Sequence, residues 1–423
     1  MVVGAGRAGC SYVRRGGAVV GGRTGPAAGA SASGRGLVRR RRRRGVRISV
    51  FAVTGLVVAA AGAGWAVYAK LSGNITPDEA AAAELARYEK ERPTSLVKDA
   101  RNILLIGSDS REGDDNARYG RDSGTERSDT TILLHLAAGR DSATAVSLPR
   151  DLMVDLPGCR RPDGSRSAPR FAQFNQAFQV GGSACTIRTV EKLTDIRVDH
   201  HVVVDFHGFK EMVDAVDGVE VCLREPIDDR AAKLRLPAGR VTLDGEQALG
   251  YVRARKSLGD GSDTERMERQ QRFLGALVNK VRSNDVLLNP AKLYPVLDAA
   301  TSSLTTDPDL ASLRGLYELV RGLRDIPMEQ VQFLTVPRES YAFDANRDQL
   351  VEPEAEKLFE RLRTDTPVVV AGNVPRGSAP LRPTDSRDGS YGDSHPGPFA
   401  QPVVTVSPPP TFRGNTAAED TCE

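Results

Sequence analysis

Two stretches of this chain carry charged residues where a buried pattern should begin. In Glu126–Leu136 (ERSDTTILLHL), Arg127 and Asp129 stand at the mouth of a strand-like apolar run; two residues apart, they point the same way if the chain is already extended there. Asp109 and Arg111 follow NILLIGS, and Arg150 follows ATAVSLP. Both are carboxyl ends of strand candidates, where open α/β sheets place their ligands. Arg253 and Arg255, in YVRAR, share a face only if the chain leaves the helix before them. The second stretch begins at Thr264. Its apolar stripe of Leu274, Leu277, Val278 and Val281, with Phe273 beside it, continues backwards by threes and fours onto Gln270 and Arg266. A buried stripe that begins with Arg and Gln lines a pocket.

Converging arginines repel one another unless a polyanion fills the site, and the planar guanidinium fork matches phosphate oxygens two at a time. Asp109 and Asp129 then make sense as ligands of a divalent cation that bridges them to the same anion, since Mg²⁺ takes one or two carboxylates plus phosphate oxygens. The pattern points to pyrophosphate with magnesium. Taken singly, each residue also has a plainer reading. Arg111 fits a solvated loop, the Arg127–Asp129 stretch a turn or helix cap, and Arg266 a surface charge pairing with Glu265 or Glu268. The insert Glu112–Glu126 lacks the spacing of a calcium loop and reads as a flap. His200, His201 and His207 read as packing or capping residues.

The elements that must position these groups alternate in type. NILLIG (Asn102–Gly107), TTILLHL (Thr130–Leu136), ATAVSL (Ala143–Leu148), HVVVDF (His201–Phe206) and GVEVCL (Gly218–Leu223) read as strands. Cys185–Thr194 and Phe209–Val216 between them, then Gly245–Ala254, Thr264–Arg282 and Asp309–Leu323, read as helices. Gln330–Val336 is a further strand, and Pro353–Arg363 a helix with its proline at the first position. Such alternation predicts an α/β fold, a central sheet covered by helices.

Net charge is only +3, but Arg39–Arg44 form an unbroken run just before Ile48–Ala69, 22 residues without a charge. That run is long enough to cross a bilayer as a helix. Arginines before it hold the amino terminus in the cytoplasm and place everything after Lys70 outside. Residues 1–47 are then a disordered basic cytoplasmic arm, 48–69 the transmembrane helix, 70–96 an extracytoplasmic stalk, and 97–365 the folded domain. A Pro/Gly-rich disordered tail, 366–423, follows. Of the five cysteines, Cys10 is cytoplasmic, and Cys159, Cys185, Cys222 and Cys422 lie where disulfides persist. Cys159 is expected to pair with Cys185. Cys222 is a buried thiol or the partner of Cys422. No pair has metal-ligand spacing, which argues against zinc.

The ordered blocks NILLIGSDSR, RSDTTILLHL, SLPRD, FNQAFQVGG, VDHHVVVDFHGFKEMVDAVDGVEV, LDGEQALGYVRARK and GSDTERMERQQRF resemble the LytR-CpsA-Psr family of cell-wall glycopolymer ligases, over about residues 100–285. The cysteine placement is similar to the actinobacterial branch. The resemblance implies an α-β-α sandwich with a central mixed sheet behind a single membrane anchor. It also implies phosphotransfer of a glycopolymer from a polyprenyl-pyrophosphate carrier to a peptidoglycan sugar hydroxyl. By resemblance, Asp109 and Asp129 hold Mg²⁺; Arg127, Arg150, Arg253, Arg255 and Arg266, with Gln270, hold the pyrophosphate. Chemistry would centre on Asp109, Asp129, Arg127 and Arg150. Where many members carry Lys-x-Asn, this chain has Gln173-Phe174-Asn175, which leaves a phosphate-facing cation unmatched; Arg170 is the one nearby cation that could compensate, and it is not expected to. The expected partners are the lipid-linked glycopolymer, peptidoglycan and the membrane, with no nucleic acid. Two rivals are a membrane-tethered transcriptional regulator or polyanion-binding module, which needs a cytoplasmic domain, and a pyrophosphatase, which needs only water as acceptor.

Overall fold

The computed structural model describes residues 34–108, 128–230, 232–254, 263–283, 289–371, 411–419 and 422. Asp109, Arg111, Arg127, Arg255 and the insert Glu112–Glu126 lie outside them. The chain divides into two units, Met1–Trp65 and Ala66–Glu423. Helix α1 (Gly34–Asn74) begins in the first. Its stretch Ile48–Asn74 is long and apolar enough to cross a membrane, and Phe51, Leu56 and Trp65 on it are exposed. At about 1.5 Å per residue the stretch exceeds the roughly 30 Å of bilayer hydrocarbon. The helix does not stop at Ala69 but runs five residues further, through Lys70 to Asn74.

Helices α2 to α6 (Glu79–Arg87, Gln176–Thr194, Phe206–Ala215, Gly245–Arg253 and Asp263–Arg282) follow in the second unit. The strands, in chain order, are β1 (Thr76–Pro77), β2 (Arg101–Ser108), β3 (Ser128–Leu136), β4 (Ala143–Leu148), β5 (Met153–Leu156), β6 (Arg170–Gln173), β7 (His200–Val204) and β8 (Val219–Leu223). After these come β9 (Ile227–Asp229), β10 (Leu234–Leu236), β11 (Gly239–Leu243), β12 (Leu304–Thr306), β13 (Val331–Thr335), β14 (Arg338–Tyr341), β15 (Asp344–Leu350), β16 (Val369–Ala371) and β17 (Thr411–Thr416). Nine of them form one sheet in the order β1-β12-β7-β2-β3-β4-β13-β17-β16. The sheet is mixed: β2 runs parallel to β7 and β4 to β13, while β3 is antiparallel to both neighbours.

Alternation along the strands feeds two cores, because successive side chains leave opposite faces of a sheet. Leu104, Ile106, Leu133 and Val146 pack with Ile187 and Val190 of α3 and with Leu358 and Phe359 of the helix Glu354–Arg363. Ile103, Ile132, Ala145 and Phe333 pack on the other face with Leu274 of α6 and with Leu319 and Leu323 of the helix Leu313–Arg324. The result is the expected α-β-α sandwich. GVEVCL is a strand outside the central sheet; it pairs with β11 and shares a third core with Val213, Tyr251 and Phe273.

Three expectations need correction. Residues 70–96 are no stalk: β1 joins the sheet edge, Ala81 and Leu85 are buried in the first core, and Arg92 donates to Glu191 at 2.8 Å and to the Val198 carbonyl at 2.7 Å. The charged residues that suggested a solvated stalk are the outer face of an amphipathic helix. Residues 366–423 are not wholly a disordered tail, since β17 inserts between β13 and β16 and Cys422 is disulfide-bonded to Cys222. Finally, residues 34–47 are not part of a disordered arm but the first turns of helix α1.

Candidate functional site

The site lies at the carboxyl ends of β2, β4 and β7, where the mixed sheet hands the chain to loops and helices. At the end of β2 the register with β3 slips: Gly107 pairs with Thr130, and Ser108 with Ser128. Asp129 is the extra residue of this bulge, a device that re-aims a side chain out of the ladder. A Cβ on Gly107 would stand 3.3 Å from that of Thr130, so the bulge needs glycine there or a shift of Thr130.

Arg150 follows β4 across Pro149 and donates Nη1 to Asp129 Oδ1 at 2.8 Å and Nε to Asp151 Oδ2 at 3.3 Å. Asp151 is itself held by Gln173 Nε2 at 2.6 Å and by Arg347 at 3.4 Å. Gln173, the departure from the family pattern, therefore steadies the residue that steadies Arg150. Arg170 is exposed on β6 and does not line the cavity.

Asp205 ends β7 and caps α4, its carboxylate accepting from the Gly208 amide at 2.7 Å. Arg253, the last residue of α5, lies over the Phe206 ring at 4.5 Å. Gln270 donates to the Val252 carbonyl at 3.3 Å, and Arg269, buried beneath, donates to that of Ala254, so α6 grips the end of α5 just where Arg253 emerges. Burial lowers the pKa of Arg269 from its usual value. On the sheet side, Gln271 bonds both Ser147 and Thr335 at 3.1 Å. Arg266 is 5 % exposed.

Together these groups line a cavity of about 450 Å³. One part of its wall is polar: Ser108, Asp129, Arg150, Asp205, and then Arg253, Arg266 and Gln270. The rest is apolar, with Ile106 and Ile132 from the sheet, Phe209 and Met212 from α4, and Leu274 and Leu277 from α6. Of the residues singled out in the sequence, Asp129, Arg150, Arg253, Arg266 and Gln270 thus meet in one cavity. Asp205 was missed. Its signal is an acid at a strand end, masked by its role as a helix cap. A second, more polar cavity of about 730 Å³ shares Ser108 and Asp205 with the first.

Cys159 and Cys185 are disulfide-bonded across 26 residues, as expected, and the open alternative for Cys222 resolves to a bond with Cys422. The histidines pack: His200 lies 3.1 Å from Asp307, His201 3.2 Å from Asp78 and His207 3.2 Å from Glu211.

Comparison with known proteins gives a consistent picture. LcpB of Corynebacterium glutamicum, named a probable cell wall biosynthesis protein, is 39 % identical over 229 residues, 52 % of this chain and 52 % of LcpB. The chain spans about half the length of that relative. TagT of Bacillus subtilis, named a polyisoprenyl-teichoic acid–peptidoglycan teichoic acid transferase, is 30 % identical over 334 residues, 75 % of this chain and 96 % of TagT. The crystal structure of TagV of B. subtilis aligns with a TM-score of 0.51 at 25 % identity, covering 64 % of this chain and 98 % of TagV. With residues 70–364 matching the model of the LytR_cpsA_psr family, the chain belongs to that family.

Proposed function

We propose that the protein is a membrane-anchored phosphotransferase that moves a glycopolymer from a polyprenyl-pyrophosphate carrier to a peptidoglycan hydroxyl. The observation that carries this reading is the division of one cavity wall into a cationic part and an apolar part. An amphipathic donor, pyrophosphate attached to a polyprenyl chain, satisfies both; a free nucleotide or a soluble sugar phosphate satisfies only the first. The names of the relatives support the same substrate class.

In the reaction, the acceptor hydroxyl oxygen bonds to the phosphorus that carries the glycan. The bridging oxygen leaves with the polyprenyl phosphate. Arg150, Arg253 and Arg266 neutralise charge as it builds on the phosphates, an effect strengthened where water is excluded. Of the described carboxylates on the wall, Asp129 and Asp205, the one not engaged by a cation takes the hydroxyl proton. Among the described residues no three His, Cys, Asp or Glu side chains gather into a metal cage. Asp129, Asp205 and Ser108 instead offer hard oxygen donors on one wall, a set that fits Mg²⁺ sharing its shell with phosphate oxygens. Bound there, Mg²⁺ would neutralise the pyrophosphate.

The Arg39–Arg44 run before the span supports a cytoplasmic amino terminus and an extracytoplasmic domain, and two disulfides agree with an oxidising compartment. Incubating the full chain with polyprenyl-pyrophosphoryl glycan, Mg²⁺ and peptidoglycan oligomers should give a phosphodiester-linked adduct. Free phosphorylated glycan without adduct would mean a pyrophosphatase. A reporter after Glu423 active only in the cytoplasm would overturn the wall-ligase reading.

A further inference from the structure

The strand registers place the end of the membrane helix and the site at the same end of the sheet. β2 and β7 are parallel, with Gly107 level with Val204. β12 runs antiparallel to β7, so that Leu304 stands opposite Val204, and β1 enters beside it with Thr76 level with Thr305. The chain leaving α1 therefore meets the sheet at the carboxyl ends of β2 and β7, the ends that present Ser108 and Asp205. The last turns of α1 are fastened there to the helix Pro290–Ser302. Lys70 Nζ donates to Asp298 Oδ2 at 2.7 Å and to the Tyr294 hydroxyl at 3.1 Å, and Asn74 Nδ2 to Asp298 Oδ1 at 2.9 Å. Lys70 directly follows the uncharged run, so whatever packs on it stands where the span leaves the bilayer.

That helix shows Tyr294 and Leu297 outward, 36 % and 39 % exposed. Its inner side packs on α4, and Ser303 just beyond it sits so close to Gly208 that a Cβ at 208 would fall 2.5 Å from the Ser303 Cβ. α4 in turn carries Phe209 and Met212 of the cavity wall. A second apolar spot stands at the same end of the sheet. β13 is parallel to β4, and both run with β2, so the hairpin β14–β15 that follows β13 also lies beyond the carboxyl ends. At its turn Phe343 is 87 % exposed, continuing a run of aromatic contacts through Tyr341 to Phe171 at 5.4 and 6.0 Å.

We infer that these two spots, Tyr294 with Leu297 and Phe343 with its aromatic neighbours, are footings that rest on the bilayer surface from which α1 emerges. Aromatic side chains favour that interface, where one edge is apolar and the other wet. Two footings on opposite sides of the cavity fix the tilt of the domain, which a single point of attachment cannot do. They hold the carboxyl end of the sheet toward the lipid. The inference rests on the proposed lipid-borne donor only for its purpose.

The test uses the full chain with Cys10→Ser, carrying a single dye-labelled cysteine at position 297, 343 or 96, in phosphatidylglycerol nanodiscs with or without brominated lipid. Leu96 is the control, an apolar residue 66 % exposed before the amino end of β2. Bromolipid should quench the dye at 297 and at 343 at least about two-fold more than at 96, as shallow interfacial insertion requires. Quenching at 297 or 343 no greater than at 96 overturns the proposal, leaving those aromatics to a soluble saccharide or protein. Leu297→Glu with Phe343→Glu should slow transfer from a bilayer-embedded donor about ten-fold, as loss of positioning does, and spare transfer from a short-chain, water-soluble donor. Equal transfer from both donors would also overturn it. Quenching with no transfer from any donor would instead strike the proposed function and leave the footings standing.

Discussion

Arg266 shows why residue identity matters more than charge in this cavity. It is almost fully buried, on a helix whose inward stripe continues through Gln270 to Leu274 and Leu277, and a buried guanidinium is retained where its planar fork has something to grip. Lysine keeps the charge but not the fork, so Arg266→Lys should lower kcat/KM for glycan transfer by about 10²-fold, the scale of losing one aligned donor to a developing charge. Its melting temperature should stay close to wild type. Steady-state transfer with a lipid-linked donor checks this; an unchanged kcat/KM would remove Arg266 from the site. Asp205 poses a different separation, because its carboxylate both caps α4 and faces the cavity. Asparagine caps a helix nearly as well as aspartate. Asp205→Asn should therefore leave thermal unfolding unchanged while cutting transfer by about 10²-fold or more if the carboxylate handles the acceptor proton. A loss of stability that accompanies a small loss of rate would confine Asp205 to its cap.

At the scale of elements, the disulfide Cys159–Cys185 joins the loop after β5 to α3, just beyond the kink at Gly181 and Gly182. Gly181 is required there, since a Cβ would come within 2.7 Å of the Arg160 carbonyl and 3.0 Å of the Cys185 Cβ. By loop-closure entropy, replacing both cysteines with serine should cost about 3.5 kcal/mol of stability. Urea unfolding of the oxidised wild type against the double variant measures it; a difference under about 1 kcal/mol would mean that strain cancels the entropic gain. The same scale shows what could be read in advance. The buried strands β2, β3 and β4 and the stripe of α6 are local patterns, so apolar period alone located them and led back to Gln270 and Arg266. Pro290–Ser302 went unread because Pro295 interrupts its pattern; the helix is held by packing on α4 rather than by its local sequence. β17 was hidden for another reason. TFRGNT has no strand period, and its conformation comes from pairing with β13 and β16, from Asn279 donating to the Ala417 carbonyl at 2.7 Å, and from Cys422. Asp205 escaped because a cap and a ligand use the same carboxylate.

Across the whole molecule, buried histidine–carboxylate contacts tie distant parts of the chain to the sheet, and they set how the fold responds to acid. His135 on β3 reaches Asn102 on β2 at 2.8 Å and Asp365, just past the helix Glu354–Arg363, at 2.9 Å. Burial lowers its pKa below 6.5, with the Asp365 contact opposing. The unfolded chain then binds the proton more readily, so stability falls as pH drops through about 6.5 and continues to fall until the folded pKa is passed. Asp78, which caps α2 and meets His201, and Asp307, which meets His200, behave differently. Burial works to raise both, but hydrogen bonds, first from the histidines, outweigh it and hold both below 3.8. Their contribution is present above about pH 3.8 and is lost as pH falls further. Melting temperature should therefore be level near pH 7 to 8, decline gently from about pH 6.5, and drop again below about pH 4. His135→Gln removes the first titration and keeps a polar side chain between Asn102 and Asp365. In that variant the decline near pH 6.5 should vanish while the limb below pH 4 remains, and persistence of the upper decline would place its origin in a group other than His135.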